Sequence, residues 1–351
     1  MRNRLRLAAR IFRDNFSEPT RPYKLTFAAT GRCNSQCRSC GSWRHESVDE
    51  LKLEEIERFF VVNHRFQWLD FTGGEYFLRD DAVEIARIAL RHNRHCFHFH
   101  VPTNAVEPER TVAGVRQLIR HAPDLFTLTL SLDGPPALHD RIRGIPGNWD
   151  SVMTVYRELE GLQTASFRIF FGFTLNPWNL GHFSSAVMAV QQRFPKVTIR
   201  HFHMNVMHRS SHYYRTEGAS PVFVGRDQEL LAEVERFRRG IRRRLDPIAV
   251  LEHRYLARIK TYLDTHRSPL PCQAMAGSLF LAADGTVYPC SIWDRPLGNL
   301  RRDGFDMQPL LAAAGEVRQT IRAERCPGCW TPCEAYPSIL AAFLHPRHLF
   351  S

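Results

Sequence analysis

The chain has 351 residues, 44% hydrophobic and 24% charged, which suits one large α/β domain plus a smaller one with ample core. It has no run of 18 uncharged apolar residues, which excludes a transmembrane helix, and Met1 to Phe16 lacks the apolar stretch and cleavage site of a signal peptide, so the expected location is cytoplasmic. The net charge of +11 fits an anionic substrate or an anionic membrane surface; nucleic acid is disfavoured because no binding motif accompanies the charge.

In chain order, the first element is a helix. Leu5, Leu7, Ala8, Ile11, Phe12 and Phe16 are set among Arg2, Arg4, Arg6, Arg10 and Arg13. Residues 1–21 therefore read as a basic amphipathic segment that lies on a membrane or docks on the body of the protein. Lys24 to Thr30 reads as a strand. It runs into Gly31-Arg32-Cys33-Asn34-Ser35-Gln36-Cys37-Arg38-Ser39-Cys40, a C-x3-C-x2-C loop. Three thiolates this close can converge on one inorganic centre, yet they leave one iron of a four-iron cubane open.

Ser47 to Asn63 reads as a helix opening on a Ser47-x-x-Glu50 capping box. Trp68 to Thr72 is a second strand, ending in Thr72-Gly73-Gly74-Glu75. Two glycines let backbone approach a bound group, and Glu75 can accept from a cationic amine; alone, the triplet is only a strand-ending turn. Asp80 to His92 is a helix, Cys96 to Pro102 a strand, Pro108 to His121 a helix with proline near its start. Asn104 follows the third strand. Cys96 reads as a buried strand residue, and His95, His98, His100, His201 and His203 as core-satisfied or mouth-lining rather than metal-binding. Leu125 to Leu132 is the fourth strand. Ser131 and Asp133 end it, and Arg143 follows, a candidate for a forked pair with a carboxylate. The plain alternative is an Asp133-Gly134 turn with a surface arginine.

Trp149 to Leu162 (helix), Phe167 to Leu175 (strand), Gly181 to Phe194 (helix) and Val197 to Val206 (strand) complete six βα units. This series predicts an α/β fold, a partial (β/α)6 TIM-like barrel whose strand C-terminal ends share one mouth. Thr174 and Asn176 close strand five at that mouth. Asn205, His208, Ser210, Ser211, His212, Tyr213 and Tyr214 form a polar-aromatic loop there, suited to substrate contact. Residues 225–266 read as helical with a break at Asp246-Pro247. The arginines at 238, 239, 242, 243 and 244 read first as a solvated basic face. Ser268-Pro269-Leu270-Pro271 then punctuates the chain.

The C-terminal stretch carries Cys272-x12-Gly285-x4-Cys290 and then Cys326-x2-Cys329-x3-Cys333. The first two cysteines can bracket a hairpin with Gly285 in its turn. Only one close pair exists, so a zinc ribbon is disfavoured. With no export signal, nine cysteines argue for metal or catalysis over disulfides.

The Cys33–Cys37–Cys40 loop, with Gly73-Gly74-Glu75 one βα unit later, resembles the cluster loop and methionine-amine segment of the radical SAM (S-adenosylmethionine) superfamily. The C-terminal cysteines resemble its twitch or shortened SPASM extension. The resemblance covers about residues 22–337. It implies a radical SAM partial barrel over 22–267 and an auxiliary-cluster domain with a tail over 268–351. It implies a [4Fe-4S] cluster on Cys33, Cys37 and Cys40, with S-adenosylmethionine chelating the open iron through amine and carboxylate. Gly73, Gly74, Glu75, Asn104, Ser131, Arg143 and Thr174 would hold that cofactor, although Ala105 stands where relatives often have glycine. One auxiliary [4Fe-4S] cluster would draw four ligands from Cys272, Cys290, Cys326, Cys329 and Cys333, the first four favoured by spacing.

The expected activity is reductive cleavage of the sulfonium to a 5′-deoxyadenosyl radical, which abstracts a substrate hydrogen. Oxidation or dehydrogenation, or modification of a peptide or small molecule, would follow, with the auxiliary cluster accepting an electron. The rival outcomes are a redox-neutral epimerisation or carbon–carbon bond formation, and a non-enzymatic iron–sulfur electron carrier. The implied partners are a flavodoxin or ferredoxin as electron donor and a small-molecule, lipid-linked or peptide substrate. The roughly 22 residues before the first strand are few for a leader-binding domain, which leans the expectation toward a small or lipid-linked anionic substrate.

Overall fold

Six strands succeed one another with helices between them, as the pattern predicts. The structure, a computed structural model, describes residues 2–16, 21–44, 49–216, 223, 225–241 and 246–345. Helix α1 (Arg2–Asp14) precedes β1 (Lys24–Thr30), α2 (Leu53–Val62), β2 (Trp68–Gly73), α3 (Ala82–His92) and β3 (His98–Thr103). Then come α4 (Pro108–Ile119), β4 (Leu125–Ser131), α5 (Pro136–Arg143), α6 (Asn148–Leu159), β5 (Phe167–Leu175), α7 (Phe183–Arg193) and β6 (Phe202–Val206). All neighbouring pairs from β1 to β6 are parallel, so each crossover helix lies on the outer face.

The helix-facing side chains of these strands are apolar and fully buried. Leu25, Phe27, Leu69, Phe71, Phe99, Val101, Phe126 and Leu128 meet the inner stripes of α2, α3 and α4. Phe71 stacks edge-on against both Phe27 and Phe99, with centroids 5.5 and 5.2 Å away. The opposite faces are polar: Lys24 and Thr26 on β1, Asp70 and Thr72 on β2, His98 and His100 on β3, Thr127 and Thr129 on β4. Parallel strands buried on both faces are ordinarily apolar throughout, and (β/α) barrels fill their interior with branched aliphatics. Here the inner face lines a cavity of about 1010 Å³ instead.

The remaining elements are α8 (Asp227–Ile241), α9 (Pro247–Leu256), α10 (Ile259–Thr265), β7 (Ser278–Leu281), β8 (Thr286–Tyr288), β9 (Gly298–Asn299), α11 (Met307–Ala313), α12 (Gly315–Arg322) and α13 (Pro332–Phe343). β7 and β8 form the expected hairpin, with Gly285 at φ +85° in its turn. β7 also pairs in parallel with β1, from Lys24↔Ser278 to Phe27↔Leu281. One nine-stranded sheet results, ordered β6-β5-β4-β3-β2-β1-β7-β8-β9, and it stays open at β6. Glu252 of α9 covers that edge, its carboxylate accepting from the Met204 backbone N–H at 2.9 Å.

Several expected boundaries move. The Ser47 end of the capping box lies outside the described residues, and α2 starts at Leu53, where the Glu55 carboxylate accepts from the Lys52 N–H. Glu50 serves the cysteine loop instead, accepting from Thr30 Oγ1 at 2.6 Å and Gly31 N–H at 2.8 Å. The segment between Asp133 and Arg143, read as a turn, contains α5. β6 starts at Phe202, five residues later than expected, after a short 3-10 turn. The break at Asp246-Pro247 is present, with Asp246 capping α9 through the Ile248 N–H. Arg242, Arg243 and Arg244 lie outside the described residues. No helix among the described residues is long and apolar enough to cross a membrane.

Candidate active site

The sequence places three cysteines immediately after β1, and the parallel register sets the β2 terminus beside them. The Gly74 N–H donates to Thr30 O at 2.8 Å and the Glu75 N–H to Arg32 O at 2.8 Å. A Cβ on Gly74 would stand 2.1 Å from Arg32 O and 2.8 Å from Cys33 Cβ. One on Gly73, at φ +145°, would stand 2.2 Å from Thr30 O. The glycines thus let β2 pass against the cysteine loop. Cys33, Cys37 and Cys40 all line the upper end of the cavity, together with Gly73, Gly74 and Glu75.

Donors surround the sulfurs. The Asn104 amide lies 3.8 Å from Cys33 Sγ, and Arg143 Nη1 3.6 Å from Cys37 Sγ. Cys40 Sγ lies 3.2 Å from Ser42 Oγ. Burial pushes the Cys33 thiol up to about 12 and raises Cys37 against the pull of Arg143, so in the apo-protein these thiols stay protonated. Binding iron would expel those protons. Among the described residues no three His, Cys, Asp or Glu side chains converge closely enough for a single ion. A cubane does not require that, since each thiolate takes a different iron. The donor set, the glycine-cleared cradle and the nearby cation therefore fit a four-iron cluster.

Glu75 is only 4% exposed. Its Oε1 accepts from Thr103 Oγ1 at 2.9 Å and from the Phe77 N–H, and its Oε2 accepts from the Asn104 N–H at 2.7 Å. Burial still outweighs those donors and pushes the carboxyl up to about 7. Ala105, just beyond, takes φ +56°, so the non-glycine at that turn still adopts the left-handed backbone.

Arg143 finds its carboxylate within the chain: Nε lies 2.8 Å from Asp133 Oδ2. Asp133 Oδ1 accepts from the Thr174 N–H at 3.1 Å, which ties β5 to the same group. Ser131 and Thr174 line the cavity nearby. His139, within the segment that carries Arg143, and Asn148, which no motif marks, complete the network. His139 Nδ1 accepts from the Asp133 N–H at 3.1 Å, and its Nε2 donates to Asn148 Oδ1 at 3.0 Å. The Asn148 amide in turn donates to Asn104 O at 2.9 Å. Burial drives His139 down to about 3, which keeps the ring neutral as this tautomer requires. Their pairing joins α5 to α6, and no short motif signals it.

Deeper in the cavity a buried ion pair crosses β1 and β2. Lys24 Nζ, wholly buried, lies 2.8 Å from Asp70 Oδ2 and donates to Cys333 O at 2.8 Å. Burial disfavours the charge of Lys24, yet Asp70 raises it to about 12. Asp70 is pulled far below the ordinary carboxylate range by Lys24, overriding its own burial. His98 and His100 reach Thr127 Oγ1 at 2.8 Å and Thr129 Oγ1 at 3.0 Å. They and His203 line the cavity, whereas His95 and His201 do not. The alternation of polar residues in parallel strands was the available signal of a lined interior.

The C-terminal cysteines gather below the loop after β6. Backbone N–H groups of Ala274 and Trp293 point at Cys272 Sγ (3.5 Å) and Cys290 Sγ (3.3 Å). Gly328, at φ +75°, lets the Cys326–Cys329 turn pass His266 O, 2.2 Å from where a Cβ would be. Burial raises the thiols of Cys290 and Cys329; after it, Glu334 and then Cys272 raise Cys290, and Cys290 and then Cys272 raise Cys329. After burial, the charges acting on Cys333 are Lys24, Asp70 and Glu334, and Cys333 lines the cavity. Tyr213 stands between the two cysteine regions, its hydroxyl 2.8 Å from Thr72 Oγ1. Of the loop residues expected to touch substrate, Asn205, His208, Tyr213 and Tyr214 line the cavity, while Ser211 bonds Asp294 and His212 bonds Cys290 O. Cys96 is buried outside the cavity, as expected, but it lies two residues before β3, and no cysteine is in a disulfide among the described residues.

Residues 28–183 match the family model of the radical SAM superfamily, and residues 272–333 match that of SPASM, an iron–sulfur cluster-binding domain. No curated protein matches the sequence. Among solved structures the chain is similar to native anSMEcpe with bound AdoMet, at 15% identity and TM-score 0.60 over 94% of this chain and 97% of that one. The same protein with AdoMet and Cp18Cys peptide gives 15% identity and TM-score 0.56, again over 94% and 97%. Streptococcus suis SuiB bound to S-adenosylmethionine gives 13% identity and TM-score 0.54 over 84% of this chain and 68% of that one. At these identities the likeness is one of fold.

Proposed function

We propose that this chain, a radical SAM superfamily enzyme ending in an SPASM iron–sulfur domain, abstracts a hydrogen atom from a substrate held in the barrel cavity and oxidises it. One observation carries the reading: the C-x3-C-x2-C loop, Gly73-Gly74 and Glu75 meet at the mouth of a large cavity whose strand-side wall is polar. Cys33, Cys37 and Cys40 would hold the catalytic [4Fe-4S] cluster. Glu75 would receive the methionine amine of S-adenosylmethionine, with Asn104, Ser131, Arg143 and Thr174 around the rest of the cofactor. When bound, cluster and cofactor together supply a 5′-deoxyadenosyl radical as hydrogen-atom acceptor.

The protein's own part is positioning and charge. Arg143, fixed by Asp133, sets a cation beside Cys37 and offsets the negative charge of a thiolate-bound cluster. The Asp133–His139–Asn148–Asn104 chain keeps that cation and the Asn104 amide in one frame. Cys272, Cys290, Cys326 and Cys329 would hold one auxiliary [4Fe-4S] cluster, able to accept the electron left on the substrate after hydrogen and proton loss. A flavodoxin or ferredoxin would reduce the enzyme. Anaerobic reconstitution with iron counting and 5′-deoxyadenosine release is the test; a protein that binds no S-adenosylmethionine is not this enzyme.

The second reading is redox-neutral, and Cys333 favours it. Cys333 lines the cavity beside Lys24, so its S–H could break to give the substrate radical a hydrogen atom; the resulting thiyl radical would be restored by one electron from the flavodoxin or ferredoxin donor and a proton from solvent. Solvent deuterium in the product, lost in Cys333→Ala, distinguishes the two. The structures of anSMEcpe with Cp18Cys peptide support a peptide as one substrate class.

A further inference from the structure

The cavity does not end at the polar layer. It continues to the N-terminal ends of the strands, where α1, α9 and α13 enclose it. This lower chamber is walled by Leu7 and Ile11 of α1, Leu125 at the start of β4, Leu251 of α9, and Leu340 and Phe343 of α13. Two of the polar groups near it are occupied: Arg168 pairs with Asp246 at 2.9 Å, and Asp124 accepts from the Asn3 amide at 3.1 Å; the charged groups of Arg4 and Arg254 also border it. A peptide backbone placed there would leave N–H and C=O groups without partners, whereas a hydrocarbon chain loses nothing.

The rim of this chamber is apolar and open. Val250 is 38% and Phe343 42% exposed, and the Arg254 guanidinium lies 4.6 Å over the Phe343 ring. Helix α1 supplies an independent observation. Its inner stripe, Leu7 and Ile11, is buried, but a second stripe of Leu5, Ala9, Phe12 and Phe16 faces out. Leu5 and Phe16 are 62% and 61% exposed. Exposed Arg2, Arg6 and Arg13 accompany that stripe. A helix with apolar side chains facing outward among arginines suits the headgroup region of an anionic bilayer.

We propose that the lower chamber binds the hydrocarbon chain of an amphiphilic substrate, drawn from an anionic lipid surface on which the outer stripe of α1 rests. The inference rests on the reading that the reaction occurs in this same cavity. The polar head then lies in the upper half, near the cysteine loop, and the chain points down toward α1.

The probe is cis-parinaric acid, a fluorescent hydrocarbon-chain acid, titrated into the reconstituted, S-adenosylmethionine-bound enzyme. Saturable binding at one site is expected. Val250→Glu and Phe343→Glu, both at the exposed rim and so compatible with folding, should weaken it at least tenfold, as should Ala8→Trp from the α1 side. No binding, equal binding in all variants, or displacement by an apolar peptide but not by a fatty acid overturns the proposal. Leu5→Glu/Phe12→Glu should keep the probe site yet lose cosedimentation with phosphatidylglycerol vesicles; wild-type enzyme that ignores those vesicles overturns the lipid source. 5′-Deoxyadenosine release in the same samples reports on the reaction reading separately, so loss of that signal with probe binding intact faults the chemistry rather than the chamber.

Discussion

Glu75 is where one side chain is asked to do two things. It organises the turn after β3 and, in the proposed reading, receives a cationic amine. Its carboxyl titrates near 7, and only the ionised form attracts the amine. Affinity for S-adenosylmethionine should therefore fall as pH drops through neutrality, and Glu75→Gln should flatten that dependence while weakening binding at least tenfold; equilibrium dialysis across about pH 6 to 8 measures both. Gly74→Ala sets a methyl against Arg32 O, so the cysteine loop must shift. Reconstituted Gly74→Ala protein should carry markedly less iron than wild type at similar thermal stability. At this scale the sequence was most legible where chemistry is local. Cysteine spacing and Gly73-Gly74-Glu75 each sit within a few residues. The His139–Asn148 pairing was not legible, because two helices must pack before those side chains meet.

At the scale of elements, Lys24 on β1 and Asp70 on β2 meet because the register sets Thr26 beside Asp70. Asp70→Ala would leave a buried ammonium uncompensated and should cost about 3–5 kcal/mol in urea unfolding. Replacing both, as Lys24→Met with Asp70→Leu, should recover most of that loss; no recovery would mean that the pair does more than cancel its own burial. The strands themselves could be read from the chain, since their helix-facing rows are apolar, mostly Leu, Phe, Ile and Val. Element ends were less legible. Ser47 and Glu50 have capping-box spacing, but Glu50 is held by Thr30 and Gly31, so the helix begins later. β7 was foreseen as half of a hairpin and not as a partner of β1, since four residues carry no sign of which edge they will join.

In the proposed reading the whole molecule divides labour between two cysteine regions, and that division is testable in single variants. Cys37→Ala should abolish 5′-deoxyadenosine formation. Cys290→Ala should retain part of it while losing substrate turnover, and equal, complete loss in both contradicts the assignment. Stability should also decline in acid. His98 and His139 are held neutral down to about 3 and His208 to about 4, chiefly by burial. The unfolded chain binds these protons near pH 6.5, so the folded state is favoured above that value and loses ground as pH falls toward 4. Glu75 and Glu334, both raised chiefly by burial, act with the opposite sign, and His201 and His212, also lowered by burial, add to the histidine side. Circular dichroism melts between about pH 7 and 4.5 should show a falling midpoint; a flat profile removes the histidines from the account. Because β1 is flanked by β2 on one side and β7 on the other, its sheet neighbours come from distant parts of the chain. During synthesis the nascent barrel would wait, one flank bare, until the far cysteine region leaves the ribosome. The strand leading into the first cysteine loop is therefore completed only by the segment that opens the far cysteine region.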